Sequence, residues 1–263
     1  MISKKEMEKI MENFNSKEAR IVAQGKSKVI YETDYPDVCL MVFKPSLRSI
    51  TNKRQGLIAG TEIERMHVNL FFMKELENLG IQTQLQYPKL IEYDGQLIMA
   101  VKKVKPTPIE WIARFSAAGS IVKMFPTIVK KGQKFNQPLY KFDLKQDLSV
   151  CGVDDPMLNE SYIVGLGLLT SEQLEKAKEI LRKSSDLVNE IVTNSGMNLV
   201  DMKMELGYSN DGNLLVIDEI SQDCTRIEKK GISMTKDCYR EWKPEDVVLQ
   251  RYKDFTGLVG AIR

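Results

Sequence analysis

The stretch that decides the reading is Val200-Asp-Met-Lys-Met-Glu-Leu-Gly-Tyr-Ser-Asn-Asp-Gly-Asn-Leu-Leu-Val-Ile-Asp-Glu-Ile220. Asp211-Gly212, flanked by Asn210 and Asn213, is a two-residue turn signal between two strand-like runs. Closing a hairpin on that turn pairs Asn210 with Asn213. Counting outward, Glu205 then faces Asp218 and Lys203 faces Ile220. Side chains alternate along a strand, so Asp201, Lys203 and Glu205 share one face, and Val200, Met202, Met204 and Leu206 take the core face. Opposed carboxylates on paired strands lie about 5 Å apart and repel. A divalent cation between them removes the repulsion. Mg²⁺ accepts one or two protein carboxylates and completes its shell with water and substrate phosphates. The hairpin therefore predicts a Mg–nucleotide site at Glu205 and Asp218. The plainer alternative is a solvated acidic face whose two acids Lys203 neutralises. Both depend on the register, because a longer loop would move Asp218 out of line.

The rest of the chain sets bounds on that idea. Its 263 residues are 43% hydrophobic and 28% charged, which is globular composition, enough for one large or two small domains. A net charge of +2 with no dense basic run argues against a nucleic-acid partner and leaves small anionic substrates open. Cys39, Cys151, Cys224 and Cys238 show no CxxC spacing, and the sole histidine, His67, has no metal-ligand companions. That argues against zinc and for reduced thiols in the cytoplasm. The amino terminus is charged and helix-like, with no apolar signal core and no long apolar span later, so no membrane role is expected.

A short amphipathic helix is expected over 3–14, strands over Ile21–Tyr31 and Val38–Phe43, and a helix over Glu62–Leu79 stopped by Gly80. The stripe of that helix is Ile63, Met66, Leu70, Met73, Leu76 and Leu79. Lys89–Tyr93 and Gln96–Val104 read as a hairpin around Asp94-Gly95, and Ile109–Phe115 reads as a strand. A short helix follows near Ala118–Met124, and 125–160 reads as irregular, with Pro126, Pro138 and Pro156. Thr170 and Gln173 make a capping box for a helix to about Ser195, its stripe Leu174, Ala177, Leu181, Leu187 and Ile191. The tail Pro244–Val259 reads as helical. Strands dominate early and helices mix with a hairpin later, which is an α+β pattern and not alternating βαβ units. The break is expected near Pro106 or Pro108. It would give a β-rich nucleotide-binding lobe over residues 1–106 and an α+β lobe over residues 107–263, with nucleotide in the cleft between them.

Gly25-Lys-Ser-Lys28 reads as a phosphate-binding turn, glycine letting the backbone approach an anion and Lys26 and Lys28 adding charge. It is not a Walker A loop, which needs a further Gly where this chain has Arg20 and a helix where a strand follows. Its meaning sharpens when the segments are taken in order. They are Gly25-Lys-Ser-Lys, Val101-Lys-Lys-Val104, Pro108-Ile-Glu-Trp-Ile-Ala-Arg114, Ala117-Ala-Gly-Ser120, Lys145-x-Asp147, Asp155-Pro-Met-x-Asn-Glu160, Val200-Asp-x-Lys-x-Glu205 and Asp218-Glu-Ile-Ser-x-Asp-x-x-Arg226. That order and spacing, over roughly residues 20–255, resembles the SAICAR synthetase family.

The resemblance implies a two-lobed α+β fold and an ATP-dependent ligase. Such an enzyme phosphorylates the carboxylate of an aminoimidazole ribonucleotide and couples it to the amine of aspartate, releasing ADP and phosphate. It implies that Gly25, Lys26, Lys28, Lys103 and Lys145 contact ATP, and that Glu205 and Asp218 hold Mg²⁺. Arg114, Ser120, Lys203 and Arg226 would face the anionic substrate, with Lys203, Asp201 and Arg226 acting in catalysis. The physical logic agrees, since phosphoryl transfer to a carboxylate gathers negative oxygens that Mg²⁺, Lys and Arg must neutralise. Arginine also suits bidentate binding of phosphate or carboxylate. Glu110 reads first as a strand-edge charge, Lys102 and Lys103 alternate so that at most one faces the cleft, and Trp111 and the methionines read as core. Such an enzyme would take a small anionic substrate and an amino-acid amine, and leaves room for a homo-oligomer.

Three segments depart from the family pattern. An acidic loop is expected after Phe43, yet the chain reads Lys44-Pro-Ser-Leu-Arg-Ser-Ile-Thr-Asn-Lys-Arg54, with Ser46 in place of Asp and Arg48 intruding. The family's Gly-Lys-Gly with two following carboxamides appears as Ala59-Gly-Thr-Glu-Ile-Glu-Arg-Met66, and the last motif ends Arg226-Ile-Glu228 where Arg-Leu-Trp is usual. If even two of Arg48, Lys53, Arg54 and Arg65 point inward, the pocket should favour a more acidic ligand. A paralogous ligase for another carboxylate or amine, and a nucleotide-binding pseudoenzyme, therefore stay open at this level. Retention of Lys26, Lys28, Glu205 and Asp218 argues against the pseudoenzyme.

Overall fold

In a computed structural model, residues 1–49, 52–145 and 155–261 are described; Cys151 and Asp147 lie outside them. The chain begins with helix α1 (Lys4–Asn13), entered through a capping box between Ser3 and Glu6. Three antiparallel strands follow, β1 (Ile21–Gln24), β2 (Lys28–Glu32) and β3 (Val38–Phe43). A small hairpin, β4 (Ser46–Ser49) and β5 (Arg54–Leu57), leads into helix α2 (Thr61–Asn78), and β6 (Ile91–Tyr93) and β7 (Gln96–Lys102) complete the first sheet. Its order is β1-β2-β3-β7-β6. Asp94 and Gly95 both take positive φ, the geometry that a tight Asp-Gly hairpin turn requires.

The run Val-Cys-Leu-Met-Val-Phe of β3 is apolar throughout because both its faces are covered. Val38, Leu40 and Val42 pack with Met7 and Ile10 of α1, while Cys39, Met41 and Phe43 join the main core with Met66, Phe72 and Met73 of α2. Within the expected stripe of α2, Met66, Met73 and Leu76 are buried and Leu70 is half-buried, but Ile63 and Leu79 lie exposed. Val68 and Phe72 are buried instead, since α2 packs on the sheet and on the carboxyl-terminal helix at once.

After Lys103 the chain enters a second antiparallel sheet. Its strands are β8 (Val104–Ser116), β9 (Lys134–Leu144), β10 (Met157–Leu158), β11 (Asn198–Ser209), β12 (Leu214–Ile217), β13 (Thr225–Lys229) and β14 (Ile232–Ser233). The order is β10-β9-β8-β11-β13-β14, with β12 also paired to β11. The expectation of irregular chain over 125–160 is corrected here, because β9 is an eleven-residue strand along β8. It has few ladder partners on its far side, where β10 spans only two residues, and such a border strand tolerates Pro138.

Among the described residues five further helices follow: α3 (Ser120–Met124), α4 (Glu160–Gly165), α5 (Ser171–Asn194) with the Thr170–Gln173 capping box, α6 (Asp237–Arg240) and, in the tail, α7 (Glu245–Leu258). Helix α5 covers the apolar face of the second sheet. Leu174, Ala177, Leu181, Val188 and Val192 are buried there, while the predicted Leu187 and Ile191 are only half-buried. Burying each large aliphatic side chain contributes about 1.5–3 kcal/mol. Ile109, Trp111, Ala113, Met202 and Met204 face this core, and the Trp111 and Phe142 rings meet edge to face at 5.0 Å. Their strand neighbours therefore point to the opposite face, and that is where the polar site lies.

One connection joins the sheets outside the chain crossing. Residues 82–86 hydrogen-bond on one side to β12, through Gln84 N to Val216 O (2.9 Å) and Val216 N to Gln82 O (3.0 Å). On the other side they bond to β7, through Lys102 N to Gln84 O (2.6 Å) and Gln86 N to Ala100 O (3.0 Å).

Candidate active site

Three rungs of side chains cross the polar face of the second sheet. The first is acidic: Asp143 on β9, Glu110 on β8 and Glu205 on β11 stand directly opposite one another. The next rung along the pleat is Lys141, Ile112 and Lys203. The third is Leu139, Arg114, Asp201 and, on β13, Arg226. The lysines reach sideways onto the acids. Lys203 Nζ lies 2.8 Å from Glu205 Oε1, 3.4 Å from Glu110 Oε1 and 3.5 Å from Asp218 Oδ2. Lys145 Nζ meets Glu205 Oε2 and Lys141 Nζ meets Asp143 Oδ2, each at 2.6 Å. Burial pushes the carboxyls of both Glu110 and Asp143 up from their ordinary values, with Lys203 and Lys141 respectively pulling the other way.

The hairpin register differs by one from the expected pairing. Glu205 pairs with Ile217 and Tyr208 with Leu214, so Asp218 is not the ladder partner of Glu205. The loop is Asn210-Asp211-Gly212, closed by Ser209 N to Asn213 O (3.0 Å) and Gly212 N to Ser209 O (2.9 Å), with Gly212 at φ +81°. This is the three-residue, bulge-forming loop and not the two-residue one. Asp218 still reaches the polar face, because its backbone turns to φ +67° just past β12. Gln84 fixes that turn with both ends of its amide, donating to Asp218 O (2.8 Å) and accepting from Asp218 N (3.3 Å).

The loop after Asp218 carries a buried ion network. Lys28 Nζ lies 2.6 Å from Asp218 Oδ1 and 2.9 Å from Glu219 Oε1. Arg65, fully buried, donates to Glu219 at 3.2 and 3.3 Å, approaches Asp223 at 3.8 Å, and donates to the carbonyls of Lys44 (3.2 Å) and Ser27 (3.4 Å). Asp223 is also held by Lys236 and by the Tyr252 hydroxyl, each at 2.9 Å. Burial would raise the Asp218 carboxyl, but Lys28 and Lys203 outweigh it and hold it below its ordinary range. Glu219 is likewise held low against burial by Arg65 and Lys28.

The arginine end is built on one aspartate. Asp201 Oδ2 accepts from Arg226 Nη1 at 2.7 Å and lies 3.6 Å from Arg114 Nε; Arg226 Nε also meets Asp237 at 3.0 Å. The turn Ala117–Ser120 caps this pair. Arg114 donates to Ala118 O, and a Cβ on Gly119, which has φ +64°, would meet the Arg226 guanidinium at 3.2 Å. Ser120 stands exposed as the first residue of α3.

The family model for SAICAR synthetase matches residues 21–254. A phosphoribosylaminoimidazole-succinocarboxamide synthase of Sulfolobus acidocaldarius is 35% identical over 92% of this chain and 99% of its own. The chain belongs to the SAICAR synthetase family. The enzyme of that name from Ehrlichia chaffeensis superposes with a TM-score of 0.83 at 29% identity, covering 93% of this chain and all of that one. A SAICAR synthetase solved in complex with ADP superposes at 0.81 and 25% identity, over 93% of this chain and 99% of that one.

Against this SAICAR synthetase fold, Lys28, Lys145, Lys203, Glu205 and Asp218 meet in one cluster, and Arg114, Asp201 and Arg226 in a second on the same sheet. Other expected residues sit in different local settings. The Gly25 amide donates to Lys28 O within its own turn (3.0 Å), and Lys26 is the exposed cation there. Lys103 is not brought to the cluster; its ammonium pairs with Glu32 at 2.6 Å. The added cations of the rewritten segments are dispersed among the described residues. Arg48 and Lys53 are exposed, and Arg54 stacks on Tyr239 at 4.0 Å. Arg65 is neutralised by Glu219 and Asp223. Asp143, Glu219 and Gln84 were missed from sequence. Glu219 follows the predicted Asp218 and was within reach, but Asp143 lay in the stretch read as irregular, and nothing local marks Gln84.

Among the described residues no group of three or more His, Cys, Asp or Glu side chains is arranged to hold a metal by itself, and no helix is long and apolar enough to cross a membrane.

Proposed function

We infer that this chain is an ATP-dependent ligase of purine biosynthesis, acting in the cytoplasm. It activates the carboxylate of a phosphoribosyl-aminoimidazole with ATP and joins it to aspartate, the activity its relatives' name describes. The observation carrying this reading is the cluster of Lys28, Lys145 and Lys203 with Glu205 and Asp218, set on the same sheet face as the Arg114–Asp201–Arg226 group. Nucleotide would lie between the two lobes, residues 1–106 and residues 107–263.

Glu205 and Asp218 would hold Mg²⁺. Both are oxygen donors bridged by the Lys203 ammonium, and Lys28 and Lys203 keep Asp218 ionised. Two carboxylates suffice for an ion that fills its shell with water and phosphate. When bound, the ion would neutralise phosphate charge. The chain's own groups do the rest. Lys26, exposed on its turn, and Lys145 at the sheet edge bind phosphate oxygens. Arg114 and Arg226, fixed by Asp201 and by the Gly119 turn, bind the anionic groups of the ribonucleotide in fork geometry. Asp201 is thus a positioning residue. Lys203, set between Glu110, Glu205 and Asp218, presents positive charge where the carboxylate receives phosphate.

The test is ADP release with the aminoimidazole carboxylate and aspartate. Turnover at roughly 1 s⁻¹ or above is expected, and loss of Mg-dependent turnover in Asp218→Asn with folding preserved. No ADP with this pair, or full activity in Asp218→Asn, would overturn the reading.

A further inference from the structure

One buried carboxylate oxygen of the acidic rung has no donor, although each of its acids meets a lysine. Asp143 is nine-tenths buried, with a side-chain exposure of 7%, and its Oδ2 is taken by Lys141. Its Oδ1 is buried without a hydrogen-bond partner. It is the one buried carboxylate oxygen without a partner on the polar face of the second sheet among the described residues; the other two such oxygens, on Glu62 and Glu64, belong to α2. A buried acceptor left unmade costs about 1–3 kcal/mol, more for a charged group, so such an atom in a binding cleft marks a missing donor. Its neighbours restrict what the donor can be. Glu110 stands directly opposite, Glu205 lies beyond, and Asp155 adds negative potential at both Asp143 and Glu110. The missing donor must carry hydrogens, and a cationic one suits an oxygen flanked by Glu110 and Asp155 best.

We propose that Asp143, with Glu110 across the rung, is the docking subsite for the amino group of the amine substrate, received as its ammonium. The proposal rests on the ligase reading above. The sheet supplies the complement. Lys141 and Lys203, rooted one step along the pleat, place their ammonium groups 2.6 Å from Asp143 Oδ2 and 3.4 Å from Glu110 Oε1, beside the rung, as cations for the carboxylates of an amino diacid. Lys141 and Lys145 cover the rung with long, partly exposed side chains that can move aside for a ligand. An amino acid so held has its nitrogen on the acid rung and its carboxylates on the lysine rung, within the same cluster that contains Glu205 and Asp218. Asp143 would act here by binding; the proton lost on amide formation leaves by a route the proposal does not require.

The experiment is a kinetic comparison of wild type and Asp143→Asn, with folding checked by circular dichroism. L-aspartate is the varied substrate and succinate, which lacks only the amine, the competitor. Loss of one charge-assisted hydrogen bond is expected to raise the KM for L-aspartate roughly tenfold or more. The inhibition constant for succinate and the KM for ATP should stay within about twofold, because neither ligand uses the ammonium contact. Asp143→Glu should recover part of the loss. An unchanged KM for L-aspartate, or equal losses for L-aspartate and succinate, would overturn the subsite while leaving the ligase intact. Wild-type protein that makes no ADP with aspartate would overturn the ligase reading and the subsite with it.

Discussion

Replacing Arg65 by methionine removes a fully buried charge from the centre of the 218–223 loop. The guanidinium donates to Glu219 at 3.2 and 3.3 Å, faces Asp223 at 3.8 Å and closes two backbone carbonyls, those of Lys44 and Ser27. Breaking a buried pair from one side costs about 3–5 kcal/mol, because the surviving partner stays buried and uncompensated. Here compensation is partial. Glu219 keeps Lys28 at 2.9 Å, and Asp223 keeps Lys236 and Tyr252, each at 2.9 Å. The lower end of the range applies, about 3 kcal/mol. Methionine fills much of the volume and packs on Phe43, whose ring lies 4.8 Å from the guanidinium carbon. The cost is therefore electrostatic, and removing the orphaned charge should return some of it. Urea unfolding followed by the fluorescence of Trp111, which is fully buried, measures this. Arg65→Met should lose about 3 kcal/mol, and Arg65→Met with Glu219→Gln should regain about 1–2 kcal/mol of it. A single-variant loss below about 1 kcal/mol, or a double variant no better than the single, would refute the reasoning.

Acid should weaken the same loop. Asp218, Glu219 and Asp223 all titrate below their ordinary values in the folded chain, so their contribution to stability is complete above the unfolded carboxylate range, about pH 4, and is lost as pH falls through the lower folded values. Urea midpoints should hold from pH 7 to 5 and drop below about pH 4; a midpoint rising on acidification would contradict the sign. Gly119→Ala forces a side chain into φ +64° and against the Arg226 guanidinium, so kcat/KM for the ribonucleotide carboxylate should fall roughly 5- to 30-fold, with a stability loss of about 1–3 kcal/mol. Equal activity would mean that the 117–120 turn does not position Arg226. Lys103→Met should leave the KM for ATP within about twofold, since Lys103 pairs with Glu32 away from the cluster. A large rise in that KM would restore Lys103 to the nucleotide site.

The features of the fold legible in the sequence are those written locally. The Thr170 capping box, the Asp94-Gly95 turn and the alternation of 109–115 and 200–206 each carry their instruction within a few residues. What stayed hidden depends on partners distant in sequence. The 211–212 turn signal is real, but Ser209 and Asn213 close one residue more than it implies, and the strand slips by one. Asp218 arrives at the site all the same, because a left-handed backbone and the Gln84 amide re-aim it. Strand β9 concealed itself by its proline, Pro138, and its exposed residues, the marks of a border strand, and took Asp143 with it. Arg65 reads as an intruding surface charge until its acids, more than 150 positions away, are seen around it.

The strap of residues 82–86 changes what holds the two halves together. The peptide link at Lys103 is one joint; the ladder from β7 through Gln84 to β12 is a second, made of backbone hydrogen bonds whose donors only a proline substitution would remove. Cutting the chain at Lys103 would leave the halves sutured, and inserting residues near Gln84 would do more damage than inserting them at the crossing itself. The Gln84 side chain meanwhile grips the Asp218 backbone, so the seam that joins the halves also sets the aim of an acid at the centre of the site. A nick or an insertion is therefore tolerated according to its distance from Gln84, not from the apparent boundary in sequence.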